Sequence, residues 1–253
     1  MAQIRIGVDL DNAFGRQLTE LEQSQLPYAA SQAANKVAYE IRERWKRQAP
    51  RVFDRPTPLT VNAAMYRKAT KAQPYAEIFI RDEAFKGTPP AKYLLAEVDG
   101  GQRRRKGFER LLQSRGLLSP TQFAVMGRGA RANQFGNVPA GQVTKILSQL
   151  GAQRDRYQNQ TPTSMKRRRT KAPTGGEYFV LTRRRGRLRP GIYERITTGW
   201  GSAVRSIFIF TNSATYTPRY DIFGMAEDTW RRLMPFYLKR ELEKAMETAR
   251  PLP

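Results

Sequence analysis

The chain has 253 residues, of which 40% are hydrophobic and 10% aromatic, so its composition is that of a folded protein with a buried core. It has no cysteine and no histidine, which excludes disulfide bonds, cysteine nucleophiles, zinc sites built on those residues and every reaction that uses imidazole as a base. No apolar run approaches the ~20 residues that span a bilayer, and residues 1–6 lack the apolar core of a signal peptide, so we expect neither a membrane partner nor export by that route.

The N-terminal part predicts a strand and then a long helix. Residues 3–10 alternate apolar and polar side chains, which is the pattern of a half-buried strand. Residues 24–48 predict a helix with Ser24 as its N-cap, Pro27 in its first turn and an end at Ala49-Pro50. The apolar stripe of this helix consists of Leu26, Ala30, Ala33, Ala34, Val37, Ile41 and Trp45.

Shorter elements follow. Residues 51–58 predict a constrained connector, because each of its prolines fixes φ and biases the preceding residue towards extended conformations. Strands are predicted over residues 59–69 and 75–82. Residues 93–98 predict either a short strand or a helical turn.

The positive charge is concentrated in the middle of the chain. The formal charge at pH 7 is +23, and residues 101–195 supply +18 of it, with 22 Lys or Arg against four acids. Helices are predicted over residues 108–118 and 139–150, whereas residues 151–176 contain almost nothing apolar and predict an extended or mobile arm. The densest basic clusters are Arg103-Arg104-Arg105-Lys106, Lys166-Arg167-Arg168-Arg169, and Arg183-Arg184-Arg185 with Arg187 and Arg189.

The C-terminal part returns to regular patterns. Strands are predicted over residues 177–182, 191–197 and 204–210, with residues 183–189 as a charged hairpin tip. Residues 225–248 predict an amphipathic helix with a kink or break near Met234, because Pro235 falls inside the pattern.

These elements predict an α+β fold in which two long helices bracket an antiparallel sheet. Residues 1–98 and 177–253 are expected to form one core domain, and residues 99–176 a long basic insertion.

Candidate catalytic residues are few. Asp9 and Asp11 alternate at the end of the first strand and could hold Mg²⁺ for nuclease chemistry, but no companion acids complete a metal site. A strand end running into a turn explains them more simply. The glycines match neither the phosphate-loop nor the dinucleotide-binding spacing. We therefore expect no catalytic site, no cofactor and no metal ion.

The basic clusters are the candidate contact residues. Guanidinium groups bind phosphate oxygens in pairs, so the clusters favour contact with nucleic acid. Docking onto acidic surfaces of neighbouring protein subunits is the alternative, and a merely solvated basic face is a third reading. Aromatic side chains between the clusters offer base stacking, although they suit a core as well; they are Phe108, Phe123, Phe135, Tyr157, Tyr178 and Phe179.

The order of segments resembles a known family, the minor tail protein Z and tail-completion (neck) proteins of tailed bacteriophages. The resemblance covers residues 24–82 and 188–248, but not residues 99–176. Its motifs are Leu26-Pro27-Tyr28-Ala29-Ala30, Ala33-Ala34-Asn35-Lys36-Val37-Ala38, Pro50-Arg51-Val52-Phe53-Asp54-Arg55-Pro56-Thr57, Pro190-Gly191-Ile192-Tyr193-Glu194-Arg195 and Tyr220-Asp221-Ile222-Phe223.

The resemblance implies a non-enzymatic virion subunit that assembles in the bacterial cytoplasm as a homo-oligomer, usually a sixfold ring, at the neck or tail end. Its implied partners are neighbouring connector, neck or tail-tube proteins, and DNA in the channel. A sequence-independent nucleic-acid-binding protein that acts alone is the alternative function.

Overall fold

A computed structural model describes residues 3–7, 20–85, 87–171, 176–198 and 200–248. Within these ranges the chain forms seven α-helices and nine strands, and the strand pairings are antiparallel, so the predicted α+β class is confirmed. The candidate metal ligands Asp9 and Asp11 lie outside the described residues.

The helices are α1 (Glu20–Val52), α2 (Pro58–Val61), α3 (Ala91–Val98), α4 (Gly107–Ser114), α5 (Ala140–Gln149), α6 (Pro162–Lys171) and α7 (Ile222–Thr248). The strands are β1 (Gln3–Gly7), β2 (Ala64–Arg67), β3 (Tyr75–Ile80), β4 (Gly101–Gln102), β5 (Phe123–Met126), β6 (Glu177–Leu181), β7 (Gly191–Thr198), β8 (Gly201–Thr211) and β9 (Thr215–Tyr216). They form a three-stranded sheet in the order β1-β3-β2, a four-stranded sheet in the order β5-β8-β7-β6 and a two-stranded ladder of β4 and β9.

The chain divides into two compact units. Unit 1 comprises residues 1–101 and 216–253, and unit 2 comprises residues 102–215. This division differs from the expected one, in which the strands after residue 177 complete the N-terminal core. The physical reason is that β5, from the middle of the chain, pairs with β8, so the supposed insertion and the C-terminal strands build one sheet together.

Unit 1 is built around the alanine-rich stripe of α1. The stripe packs on β2, β3 and α7, and small side chains allow this close approach. Its fully buried members include Ala33, Ala34, Val37, Ile41 and Trp45. Polar contacts fix α1 to α7: the Arg44 guanidinium donates to the Met225 carbonyl at 3.2 Å and to the Thr229 hydroxyl at 2.8 Å.

Several expected boundaries in unit 1 are corrected. Helix α1 begins at Glu20, so Ser24 is not its N-cap and Pro27 lies well inside the helix. Strand β2 begins only at Ala64, because Thr57 caps a helical turn by accepting a hydrogen bond from the amide of Thr60. Of the two alternatives for residues 93–98, the helical one is confirmed, since they belong to α3. Helix α7 continues through Pro235, so the break that was one of the two expectations near Met234 is absent from it.

Unit 2 holds a second core under its four-stranded sheet. Pairing of β7 with β8 shifts register between Ile192 and Tyr193, which leaves Ile207 as the extra residue of a β-bulge and buries it beside Phe208. Helices α4 and α5 supply Leu112, Ile146 and Leu147 to the same core. The expected mobile arm is also corrected, since Ala152 and Gln153 are buried and residues 162–171 form α6.

Candidate polyanion-binding surface of unit 2

Nearly all the excess charge of the chain belongs to unit 2. Residues 102–215 contain 23 Lys or Arg and four acids, whereas the rest of the chain contains 22 bases and 18 acids. Unit 1 is therefore close to charge balance, and unit 2 is a compact cation.

In the first basic cluster, two of the four side chains form hydrogen bonds within unit 2: those of Arg103 and Arg105. The Arg103 guanidinium donates to both carboxylate oxygens of Glu109, at 2.9 and 2.5 Å, and to the Ala124 carbonyl at 3.2 Å. The Glu109 carboxylate also accepts from the amides of Lys106 and Ala124. Glu109 is fully buried and Arg103 nearly so. Arg103 therefore holds α4 to β5, and we leave it out of the proposed contact set.

The charge state of Glu109 follows from these bonds. Burial alone raises the pKa of a carboxyl group, because the charged form loses its hydration. The hydrogen bonds from Arg103 and from the amides of Lys106 and Ala124 outweigh that effect and hold the pKa of Glu109 below its ordinary value. Glu109 is thus ionised at neutral pH, and its charge is matched by Arg103.

Arg105 is also hydrogen-bonded to main-chain groups of unit 2. Its guanidinium donates to the Gln122 carbonyl at 2.6 Å and bonds the Pro120 carbonyl. It also lies over the ring of Phe123, 4.5 Å from the centroid, while Arg103 lies 5.0 Å from the same centroid. Arg104 and Lys106 have exposed side chains, so they are the members of this cluster that face solvent.

The second cluster lies on α6. Thr161 stands just before this helix, and its hydroxyl accepts from the amide of Ser164 at 3.2 Å. Lys166 and Arg167 are exposed, and Arg168 and Arg169 lie on the same helix, although their side chains are outside the described part of the chain. Lys166 and Arg167 are consecutive in an α-helix and therefore project in directions about 100° apart, so these two side chains do not lie on one face.

The third cluster forms the tip of the β6–β7 hairpin. Arg185 and Leu188 exchange two backbone hydrogen bonds of 3.0 Å, which closes a two-residue turn. Gly186, the first residue of that turn, has φ +58°, a value that suits glycine and the tight turns of hairpins. The Tyr193 hydroxyl donates to the Arg189 carbonyl at 2.7 Å. The tip is therefore an ordered structure, and its exposed side chains are Arg183, Arg184, Arg185, Arg187 and Arg189.

The charge of this tip has no acidic neighbour along the hairpin. Residues 178–193 contain no acid. Glu177 and Glu194 lie towards the opposite end of the strands, six residues before Arg183 and five residues after Arg189, which corresponds to about 16–20 Å at the rise of a strand. The five arginines are thus a preformed concentration of positive charge.

The aromatic side chains proposed for base stacking mostly serve the core. Phe108 packs against Phe208 at 4.8 Å between ring centroids, Phe123 is buried under two guanidinium groups, and Phe179 stacks on Tyr193 at 5.7 Å. Tyr178 is also buried, and Phe135 is half-buried. Of the six, Tyr157 alone is exposed. The surface therefore offers phosphate contacts without a row of stacking rings.

Other kinds of site find little support in the part of the chain that the structure describes. No group of three or more acidic side chains lies together there in a way that would hold a metal ion. None of the helices in that part combines the length and apolar character needed to cross a membrane. No protein-family model, curated protein or solved structure matches the chain.

Sequence reasoning missed the role of Glu109. The signal was present: it is the one acid in residues 102–154, and it stands three residues after Lys106, where a carboxylate can accept the amide of the residue that starts a helix. An isolated acid in a strongly basic stretch indicates an internal ion pair.

Proposed function

We propose that the chain is a non-catalytic structural subunit of a tailed-bacteriophage virion, at the neck or tail-completion position, and that unit 2 contacts duplex DNA there. The virion part rests on the resemblance of residues 24–82 and 188–248 to that family. The DNA part rests on one observation, the ordered hairpin tip with five exposed arginines in a unit of 23 bases and four acids.

Physical chemistry favours the duplex backbone as the ligand. Each guanidinium can hold two phosphate oxygens, and each phosphate that is neutralised releases counterions. Single-stranded nucleic acid is usually held by stacking bases on aromatic rings. Unit 2 keeps five of its six candidate rings half-buried or buried, so sequence-independent contact with phosphates is the mode that its surface supports.

The DNA part is tested by binding to an arbitrary 20-base-pair duplex, measured by fluorescence anisotropy over a range of salt concentrations. The test variant replaces Arg183, Arg184, Arg185, Arg187 and Arg189 with Gln. Its matched control replaces five exposed bases of unit 1 with Gln and so has the same net charge: Arg47, Arg51, Lys71, Lys92 and Arg232.

The hairpin variant is expected to bind at least tenfold more weakly. The slope of log K against log salt is expected to become less steep by about 4 to 5, because each of the five lost phosphate contacts contributes ~0.9 to it. The control is expected to bind almost as the wild type does. Equal losses in the two variants would mean that only net charge matters, and the assignment to the hairpin would fail.

The virion part is tested separately, by mass spectrometry of purified phage particles from cells that carry the gene. Presence at a fixed copy number in intact particles supports the structural role. Absence from particles, together with tight binding of the purified monomer to DNA, would favour the alternative of a sequence-independent nucleic-acid-binding protein that acts alone.

A further inference from the structure

A small recess in unit 1 is lined by three cationic side chains from separate parts of the chain. Arg42 and Lys46 lie four residues apart on α1, so they share one face of that helix. Arg81 follows the last residue of β3, and its amide donates to the Ala63 carbonyl at 2.8 Å, which keeps it beside the start of β2. The recess has a volume of about 280 Å³, and none of the acidic side chains that the structure describes lines it.

The other walls of the recess are apolar side chains and one amide. Val61 ends α2, Ala64 and Met65 belong to β2, and Asn62 lies between these two elements. Apolar walls exclude part of the surrounding water. An ion pair formed in the recess is therefore screened less than one on an open surface.

Other half-buried cations of unit 1 have carboxylate partners. Lys36 pairs with Glu241, and Arg44 pairs with Asp228. A half-buried cation loses part of its hydration, and a carboxylate compensates for that loss. The cations of the recess are therefore expected to need an anion as well.

The recess does not supply that anion. Arg42 lies 3.5 Å from the carboxylate of Glu43, its neighbour in sequence. Within the described part of the chain, Lys46 forms neither a hydrogen bond nor an ion pair of its side chain, and the Arg81 guanidinium donates to the Met65 sulfur alone, at 3.3 Å. A thioether is a weak acceptor. Both side chains are half-buried, so two positive charges remain uncompensated in the recess.

We propose that this recess binds a phosphate group, either inorganic phosphate or the phosphomonoester of a small molecule. Such a group offers three strong acceptor oxygens and a charge of about −1.5 to −2 at neutral pH. A guanidinium binds two of its oxygens at once, and an ammonium binds it as a point charge. A single carboxylate has two oxygens and one charge, so it matches the three cations less well.

The placement of these cations favours a small ligand over nucleic acid. Affinity for a duplex grows with the number of phosphates neutralised, so a duplex needs cations spread along a surface. The recess instead brings three cations to one place, in a unit that is close to charge balance. This site lies in unit 1, whereas the proposed DNA contact lies in unit 2, so either can fail without the other.

The test is equilibrium dialysis of the purified full chain against radiolabelled inorganic phosphate, in about 0.15 M NaCl to screen weak binding to exposed arginines. The test variant is Lys46→Gln with Arg81→Gln. Its matched control is Lys71→Gln with Lys92→Gln, which removes two exposed bases of unit 1 outside the recess and gives the same net charge. Circular dichroism checks that each variant is folded.

The test variant is expected to bind phosphate at least tenfold more weakly than the wild type, and the control to bind as the wild type does. Lys46→Arg keeps the charge and is expected to stay within about threefold of the wild type. The variant that lacks the five hairpin arginines is expected to retain phosphate binding. Glycerol phosphate should displace the labelled phosphate, and succinate should do so at least tenfold less well.

Four results would overturn the proposal. The first is a wild type without saturable binding in the millimolar range, and the second is equal binding by the test variant and its control. The third is a loss of phosphate binding in the hairpin variant alone, which would assign the binding to unit 2. The fourth is stronger displacement by succinate than by glycerol phosphate, which would assign the recess to acidic side chains of a protein partner.

Discussion

Arg103 and Glu109 are joined in the interior of unit 2 by two charge-assisted hydrogen bonds of 2.9 and 2.5 Å. Removing one partner of a buried ion pair leaves an uncompensated charge, which costs about 3–5 kcal/mol. We therefore expect Arg103→Ala and Glu109→Ala each to lower the free energy of unfolding of unit 2 by that amount in urea titrations followed by circular dichroism. Asp155→Ala, which removes an exposed cap, is the control and should cost about 1 kcal/mol. Similar losses in all three variants would contradict a special role for the pair.

The same pair predicts a pH dependence. The pKa of Glu109 is held below its ordinary value in the folded chain, so the unfolded chain binds the proton more readily. The stability that the carboxylate contributes is thus present above the ordinary pKa of glutamate and is lost as the pH falls through the folded pKa. Unfolding free energies of the wild type should decline below about pH 5, and Glu109→Gln should show a shallower decline. Parallel curves would rule out Glu109 as a source of the slope.

Gly191 is expected to tolerate no side chain. A Cβ atom there would lie 2.3 Å from the carbonyl oxygen of Phe208, which is backbone on the neighbouring strand and cannot move away. Gly191→Ala should therefore separate β7 from β8 locally. The resulting loss in the free energy of unfolding of unit 2 should be several times ~0.5–1 kcal/mol, which is the usual difference in stability between glycine and alanine inside a helix or strand. Gly141→Ala, at an open position of α5, is the control and should be neutral or stabilising. Thermal unfolding of both variants measures the difference.

In unit 1 the buried Tyr220 hydroxyl donates to the Trp45 carbonyl at 2.9 Å, and its ring meets Phe53 edge-on. Tyr220→Phe should cost about 1 kcal/mol, the net value of one hydrogen bond, whereas Tyr28→Phe at an exposed position should cost nothing measurable. Burial raises the pKa of Tyr220, so the folded chain retains a proton that the unfolded chain loses above about pH 10. Stability should fall as the pH rises beyond that value, and less steeply in Tyr220→Phe.

Much of the secondary structure could be predicted because the relevant signals are local. The apolar stripe of α1, the alternation of β3 and the apolar run of β8 each specify an element through side-chain periodicity. Periodicity does not predict α6, because its sequence has almost no apolar residues. The hydroxyl of Thr161 just before the helix and the good helix formers that follow are the local features that favour it.

The division into units was harder to predict, since it depends on which strands pair. Nothing in the sequence of β5 indicates that it joins β8, whose paired residues come 82–88 positions later, rather than a strand of the N-terminal sheet. The sequence also could not show which bases of the first cluster are free to contact a partner. Periodicity does not reveal that Arg103 and Arg105 turn inward while Arg104 and Lys106 face solvent. Trp200, between two glycines, had a visible turn signal, but its exposure follows only from the strand register.

The arrangement of unit 1 has a consequence for the order of folding. Its core joins residues far apart in the chain, as in the contact of Lys36 with Glu241, 205 residues later. Unit 2 is one continuous segment, so during synthesis it can fold as soon as residue 215 has left the ribosome. The alanine-rich stripe of α1 cannot be fully buried until α7 has been synthesised, and closing a loop over so many residues is slow. We therefore expect nascent chains to depend on chaperones that protect α1, the first helix to be synthesised. Ribosome-bound chains truncated after residue 215 should contain a folded unit 2 together with an α1 whose apolar stripe is not covered by α7.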